Sequence, residues 1–303
     1  MNPSTLTELL TQFGNNPRSK PAFIIGNGIN RYGAPDGAIN AWDTMLLQLY
    51  QAFADSAVTH IPHGISLTEF YDSLTLINQS EDVSLQKAFC ALMADWQPTA
   101  HHNAIVEWAK AHNAPILTTN FEETLSADQG LNLYHSNPKR FTDYYPWGSH
   151  FAPHNLDDPT NAFAIWHING MQRYARSVRL GLSHYMGSVE RARALLHKGG
   201  KGRLFANDDL SHWNGSSTWL QILFSNDLVF IGLGLESSEI FIRWLLIERA
   251  KYFKAYPQRQ RAAYFIYAQE ALTPGQTLFL SAVGVTLLKQ NTYQAIYETP
   301  WAS

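Results

Sequence analysis

Apolar runs of strand length recur along the chain, each closed by a turn signal, and stretches of helical periodicity lie between most of them. The runs cover residues 22–25, 115–118, 162–167, 177–182, 228–232, 262–268 and 285–288. Several are apolar throughout rather than alternating, as parallel strands covered on both faces must be. The helical patterns fall at 42–53, 84–95, 101–111, 185–197, 237–254 and 273–282. Strand alternating with helix predicts an α/β fold with a Rossmann-like, doubly wound, mostly parallel sheet. The 303 residues read as a single domain.

Two stretches depart from that rhythm. Residues 43–112 hold roughly three helical patterns and no strand, which predicts a helical insertion after the first strand. Residues 135–161 are rich in Pro, Asn and aromatics and read as a long loop, with Tyr144, Tyr145 and Trp147 arguing for order. The pattern at 237–254 is apolar around most of its circumference, which predicts a buried helix capped by Ser237 or Ser238.

Composition narrows the classes. Hydrophobic residues make up 45% and charged residues 16%, a globular balance, and a net charge of −3 gives no general reason to expect nucleic acid or a membrane surface. The single cysteine, Cys90, rules out an intrachain disulfide or a four-cysteine zinc site, and its apolar setting predicts burial. No basic leader or membrane-length apolar run stands out, so a cytoplasmic protein is expected. His101 and His102 diverge by about 100° on a helix, and Pro153 interrupts the spacing of His150 and His154, so no metal site is expected. Asp157-Asp158-Pro159 and Asp208-Asp209 read as turns. The basic stretch 173–203, from Arg173 through Arg176, Arg179 and Lys198 to Arg203, reads as a solvated face, with a partner surface or a pyrophosphate contact as the functional alternatives.

In an open α/β sheet, ligands bind beyond the carboxyl ends of the strands. The residues there are Gly26-Asn27-Gly28, then Thr119-Asn120-Phe121-Glu122, then Asn169-Gly170, then Gly234-Leu235-Glu236. The pairs Gly26/Gly28 and Gly232/Gly234 would let the backbone approach a ligand closely. Together these strand ends predict a nucleotide site.

Four segments in order, "IIGNGINRYG…AW", "ILTTNFEETL", "IWHINGM…SVRLGLSHY" and "LVFIGLGLESSEIFIRWLL", resemble the sirtuin-like family, in its bacterial phage-defence branch. The resemblance implies NAD as ligand or substrate, with Gly26, Asn27, Gly28 and Asn30 against its phosphates and helix-start amides facing the anion. Thr119-Asn120-Phe121-Glu122 matches the family's T-x-N-x-D signature with Glu122 in place of aspartate. Asn120 would then sit by the nicotinamide ribose and order a water. Gly232, Gly234 and, just beyond, Glu236 would meet the adenosine side.

The resemblance also implies cleavage of the nicotinamide glycosidic bond, giving nicotinamide and ADP-ribose when water is the acceptor. The family's catalytic histidine precedes a glycine, but the text here is His167-Ile168-Asn169-Gly170, so Asn169 takes that place and asparagine is no base near neutral pH. On a continuing strand His167 and Asn169 would face one side, about 6–7 Å apart, so His167 either assists or packs within the fold. His184 is a second candidate. The zinc module of protein-deacylating members is absent, which counts against deacylation. The alternative is a catalytically impaired module that binds NAD or ADP-ribose as a sensor or assembly subunit. Members of this branch work as homo-oligomers or beside a partner protein, and the same is expected here.

Overall fold

The structure is a computed structural model that describes all residues except 1–2, 36–37, 39, 55–57, 79–83, 145, 207–209, 237, 270–271 and 302–303. The expectations placed on Tyr145, on Asp208-Asp209 and on a Ser237 cap lie outside the described residues.

Eight strands form one sheet: β1 (Pro21–Ile25), β2 (Ile116–Thr118), β3 (Asn132–His135), β4 (Ser149–Ala152), β5 (Ile165–His167), β6 (Asp227–Ile231), β7 (Ala263–Ala268) and β8 (Thr286–Gln290). Their spatial order is β3-β4-β5-β2-β1-β6-β7-β8. From β5 to β8 every pairing is parallel, whereas β3 and β4 add an antiparallel edge. Counting the parallel strands alone, the order is that of a dinucleotide-binding sheet, with the direction of winding reversing between β1 and β6.

The two faces explain the unbroken apolar runs. Ala22 and Ile24 of β1, with Leu228 and Phe230 of β6, pack against helices Leu182–His197, Trp219–Ser225 and Ile240–Ala255. Phe23, Ile25, Val229 and Ile231 point the other way, onto helices Leu6–Asn15 and Ala100–Ala111. Both faces are dry, so alternation of polar and apolar residues never develops.

Helices Trp42–Phe53, Leu67–Ile77 and Leu85–Ala91 build a core of their own from Met45, Leu49, Phe70, Leu74, Phe89 and Cys90. Ser66 caps the second of them, accepting from the Glu69 amide while the Glu69 carboxylate accepts from the Ser66 amide. Cys90 is buried, as expected, and burial pushes its thiol up to about 11. The described residues of 43–112 thus hold four helices rather than roughly three. The last, Ala100–Ala111, belongs to the sheet layer and not to the insertion's own core.

The run at 177–182 is not a strand. A 3-10 turn (Gln172–Ser177) leads into an extended stretch whose backbone is bonded elsewhere: Arg179 N–H donates to Asn169 O (2.9 Å), and Gln86 Nε2 donates to Val178 O (2.8 Å). Val178 and Leu180 bury themselves in the insertion's core, so the apolar pattern is real but has no neighbouring strand. Conversely, the long loop expected at 135–161 contains β4 and the last residue of β3.

Candidate functional site

A cleft of about 980 Å³ opens where the winding reverses, between the strand ends and the helical insertion. Its sheet side carries Asn27, Gly28, Thr119, Asn120, Glu122, Asn169, Gly232, Gly234 and Glu236. The opposite wall comes from Trp42, Met45, Phe89, Met93 and Trp96 of the insertion region. Its volume suits a ligand of nucleotide size. Of the residues singled out in the sequence, Gly26, Asn30 and His167 do not line it.

The glycines at β1 and β6 have a packing role. A Cβ on Gly26 would stand 2.5 Å from Leu233 Cγ and 2.6 Å from Gly232 O, and one on Gly28 would stand 2.7 Å from Gly232 Cα. The two loops therefore lie directly on each other, joined by Gly26 N–H to Ile231 O (2.9 Å) and Gly28 N–H to Gly232 O (2.8 Å). The amides of Ile29, Asn30 and Arg31 also donate within the loop, to Gly26 O and Asn27 O. The expected cradle of free amides for a phosphate is thus already engaged at these positions. Arg31 is the one Lys or Arg side chain among the described residues lining the cleft, which also carries Asp43, Glu69, Glu122, Glu236 and Glu239. Arg173, Arg176 and Arg179 point elsewhere: Arg173 pairs with Glu123 (Nε to Oε1, 2.7 Å), Arg176 with Asp143, and the Arg179 guanidinium donates to Tyr144 O.

The end of β2 is built differently. Asn120 is buried at 5% exposure, its amide N–H held by Thr118 Oγ1 (3.1 Å). Its side-chain Nδ2 has no hydrogen-bond partner among the described residues. An unpaired buried donor on a cleft wall is costly unless a ligand or water meets it. Glu122 is buried beside it, accepting at Oε1 from Asn30 Nδ2 (2.9 Å) and Thr124 Oγ1 (3.1 Å). Burial pushes its carboxyl up to about 7, with the Asn30 bond opposing the rise most strongly. Asn120 lies near enough to oppose that rise as well, without closing a hydrogen bond of ordinary geometry. Glu122 also stands, with Met93 and Trp96, on the partition between the cleft and a side chamber of about 520 Å³.

Asn169 lies on the cleft wall, its Nδ2 tied only by a long 3.5 Å bond to Thr119 O. His167 takes another direction. β5 ends at His167, so the strand alternation that would aim both residues alike stops there. The ring is 1% exposed, and Nδ1 donates to Asn120 O (3.0 Å), which leaves Nε2 as an unprotonated acceptor. That nitrogen is buried with no hydrogen-bond partner among the described residues, and the residue borders a separate cavity of about 10 Å³ shared with Gly170, Ser177 and Ser188. Burial lowers the ring's proton affinity, so it stays neutral. His167 is therefore a brace on the Asn120 backbone. His184, the other histidine considered, also lies off the cleft: its Nδ1 accepts from the Leu180 and Gly181 amides at a helix start.

Two residues at or behind the cleft were not singled out from the sequence as site residues. Glu239 lines the cleft, and burial pushes its carboxyl up to about 7 while Glu236 N–H donates to its Oε2 (3.0 Å). His102 connects to the site through Asn30; the signal for it was Thr99, a helix cap three residues earlier, but the histidine pair invited only a metal reading. Among the described residues no group of three or more His, Cys, Asp or Glu side chains could hold a metal ion, and no helix is long and apolar enough to cross a membrane. No family model matches the chain, and none of the curated proteins compared with it does.

Proposed function

We propose that the cleft binds NAD and that the chain hydrolyses its nicotinamide glycosidic bond. The observation that carries this reading is the buried, unpartnered Asn120 Nδ2 set beside Glu122 on the wall of a nucleotide-sized cleft at the β1/β6 reversal. As the bond breaks, the ribose gains oxocarbenium character and the electron pair leaves with the nicotinamide nitrogen. Water then adds to the ribose carbon and gives up a proton, yielding nicotinamide, ADP-ribose and H⁺. Asn120 offers an N–H to the ribose or to the incoming water. Glu122, half ionised near pH 7, takes the proton that asparagine at position 169 cannot. The diphosphate would rest near Arg31, since the amides of the first loop are engaged. In the phage-defence setting that the sequence resembles, such cleavage would deplete cellular NAD.

A second reading is favoured by Asn169 and by the excess of carboxylates in the cleft: binding of NAD or ADP-ribose without turnover, as a sensor or assembly subunit. Purified protein at high concentration, incubated with NAD and followed by chromatography of nicotinamide, separates the two. Nicotinamide release that Asn120→Ala abolishes supports hydrolysis. Calorimetric NAD binding with no release supports the sensor, and absence of binding rejects both.

A further inference from the structure

The polar chain behind the cleft wall carries more than packing. The Thr99 hydroxyl (2.7 Å) and backbone N–H (3.3 Å) both approach His102 Nδ1, and because the N–H can only donate, Nδ1 accepts and the ring proton resides on Nε2. Nε2–H in turn points at Asn30 Oδ1 (3.0 Å). With its oxygen taken, the Asn30 amide must turn its NH₂ group forward, where it donates to Asn27 Oδ1 (2.9 Å) and Glu122 Oε1 (2.9 Å). His101 fixes the start of the same chain from the side, its Nε2 lying 2.8 Å from Ile29 O and its ring stacked on His102 at 4.8 Å. From His102 to Glu122 each tautomer and amide orientation follows from the one before it, starting from a backbone N–H at a helix start.

We propose that His102 and Asn30 are positioning residues for Glu122: His102 dictates which end of the Asn30 amide faces the carboxyl, and Asn30 thereby holds that carboxyl in one orientation and favours its charged form. Were the amide reversed, its oxygen would confront the Glu122 oxygens and the charged form would lose its strongest partner. His102 cannot reverse by protonation in any ordinary buffer, because burial and the neighbouring His101 push its pKa down to about 3. The cleft that Glu122 lines also carries Arg31, Asp43, His63, Glu69, Glu236 and Glu239, His101 stacks on His102 behind it, and the neighbouring Glu123 is paired with Arg173. The chain matters to catalysis only on the hydrolase reading above, but its existence does not depend on that reading.

The test is direct titration of the Glu122 carboxyl in the full-length protein by carbon NMR of labelled glutamate, assigned with Glu122→Gln. Asn30→Ala and His102→Leu should each raise the Glu122 midpoint by about half a unit or more. His102→Gln, which keeps an N–H near the place of Nε2, should restore the wild-type value. If His102→Leu fails to fold by circular dichroism, Asn30→Ala and His102→Gln decide the matter. An unmoved midpoint in Asn30→Ala, or a His102→Gln midpoint displaced as far as in Asn30→Ala, overturns the proposal. Should the wild-type protein bind NAD without releasing nicotinamide, the hydrolase reading falls while this titration still decides the relay. Should it release nicotinamide, the acid limb of the rate profile must shift with the titrated midpoint.

Discussion

The β1/β6 seam and the β2 end border one cleft, yet they are built on opposite principles. At the seam, Gly26, Gly28 and Gly232 press two loops together, and the first loop's amides at Gly26, Gly28, Ile29, Asn30 and Arg31 are engaged on the second loop or within the first. At β2, Asn120 is buried with a donor left over, and Glu122 is buried with its proton held near neutral pH. Close packing makes the seam a hinge of stability, whereas unfinished hydrogen bonding makes the β2 end chemically available. A glycine motif that looks like a ligand loop is here the means by which two strand ends meet. The groups that invite a ligand stand one strand away.

The largest expected effect separates these roles. Asn120→Ala should lower nicotinamide release by about 100-fold or more, the size found when one preorganised donor is removed from a reacting centre. Its melting temperature should hold or rise, since the substitution deletes an unsatisfied buried N–H. Gly28→Ala should do the reverse in kind. Its Cβ meets backbone at 2.7 Å, which cannot give way as a side-chain tip can, so a loss of about 2–3 kcal/mol is expected in denaturant unfolding. A Gly28→Ala protein as stable as wild type would break the comparison.

Glu122 sharpens it through pH. Its carboxyl is raised from an ordinary value of 4.5 to about 7. Below about pH 4.5 folded and unfolded chains both hold the proton. Between there and about pH 7 only the folded chain does, so this group makes stability fall as pH rises through that window and level off above it. The cost at pH 8 is on the order of 3 kcal/mol. Glu122→Gln should remove that slope, matching wild type near pH 4 and exceeding it near pH 8 in urea unfolding. On the hydrolase reading the same variant loses activity at every pH, because no form of it accepts the water's proton. A gain in stability joined to a loss of activity is the signature of a site held under strain.

What the sequence made legible follows from what burial does to a pattern. β1, β2, β5 and β6 were visible because dry faces on both sides force continuous apolar runs, and β7 and the edge strand β8, though less buried, still carry short apolar runs of strand length. β3 is an edge strand, its residues largely half-exposed, and β4 carries Ser149 and His150 among Pro and Asn neighbours, so neither looked like a strand. The run at 177–182 misled for a related reason: periodicity reports burial, not hydrogen-bond partners, and Val178 and Leu180 are buried in a helical core. Helices Leu6–Asn15 and Leu67–Ile77 went unread although Thr5/Glu8 and Ser66/Glu69 had the spacing of helix starts. At the site, Asn120, Glu122 and Asn169 were legible as polar residues directly after strands. The elevated carboxyl of Glu122 and its link through Asn30 to His102 were not, because they depend on contacts across 72 and 92 residues of chain.

The smallest expected effect lies at Asn169. Its side chain faces the cleft with only a 3.5 Å bond to Thr119 O to lose, so a larger ring can enter without breaking a strong contact. A histidine there would add a second group able to accept a proton near neutral pH, next to Glu122 rather than in its place. If Glu122 already serves as the base, the gain is redundant, and Asn169→His should raise nicotinamide release by no more than about 10-fold, below the usual 10²–10⁴ of a base supplied where none exists. In a Glu122→Gln background the histidine would no longer be redundant, and the same substitution should recover a larger factor. Equal gains in both backgrounds would show that Glu122 is not the proton acceptor, and would return the β2 end to the same purely structural role as the glycine seam.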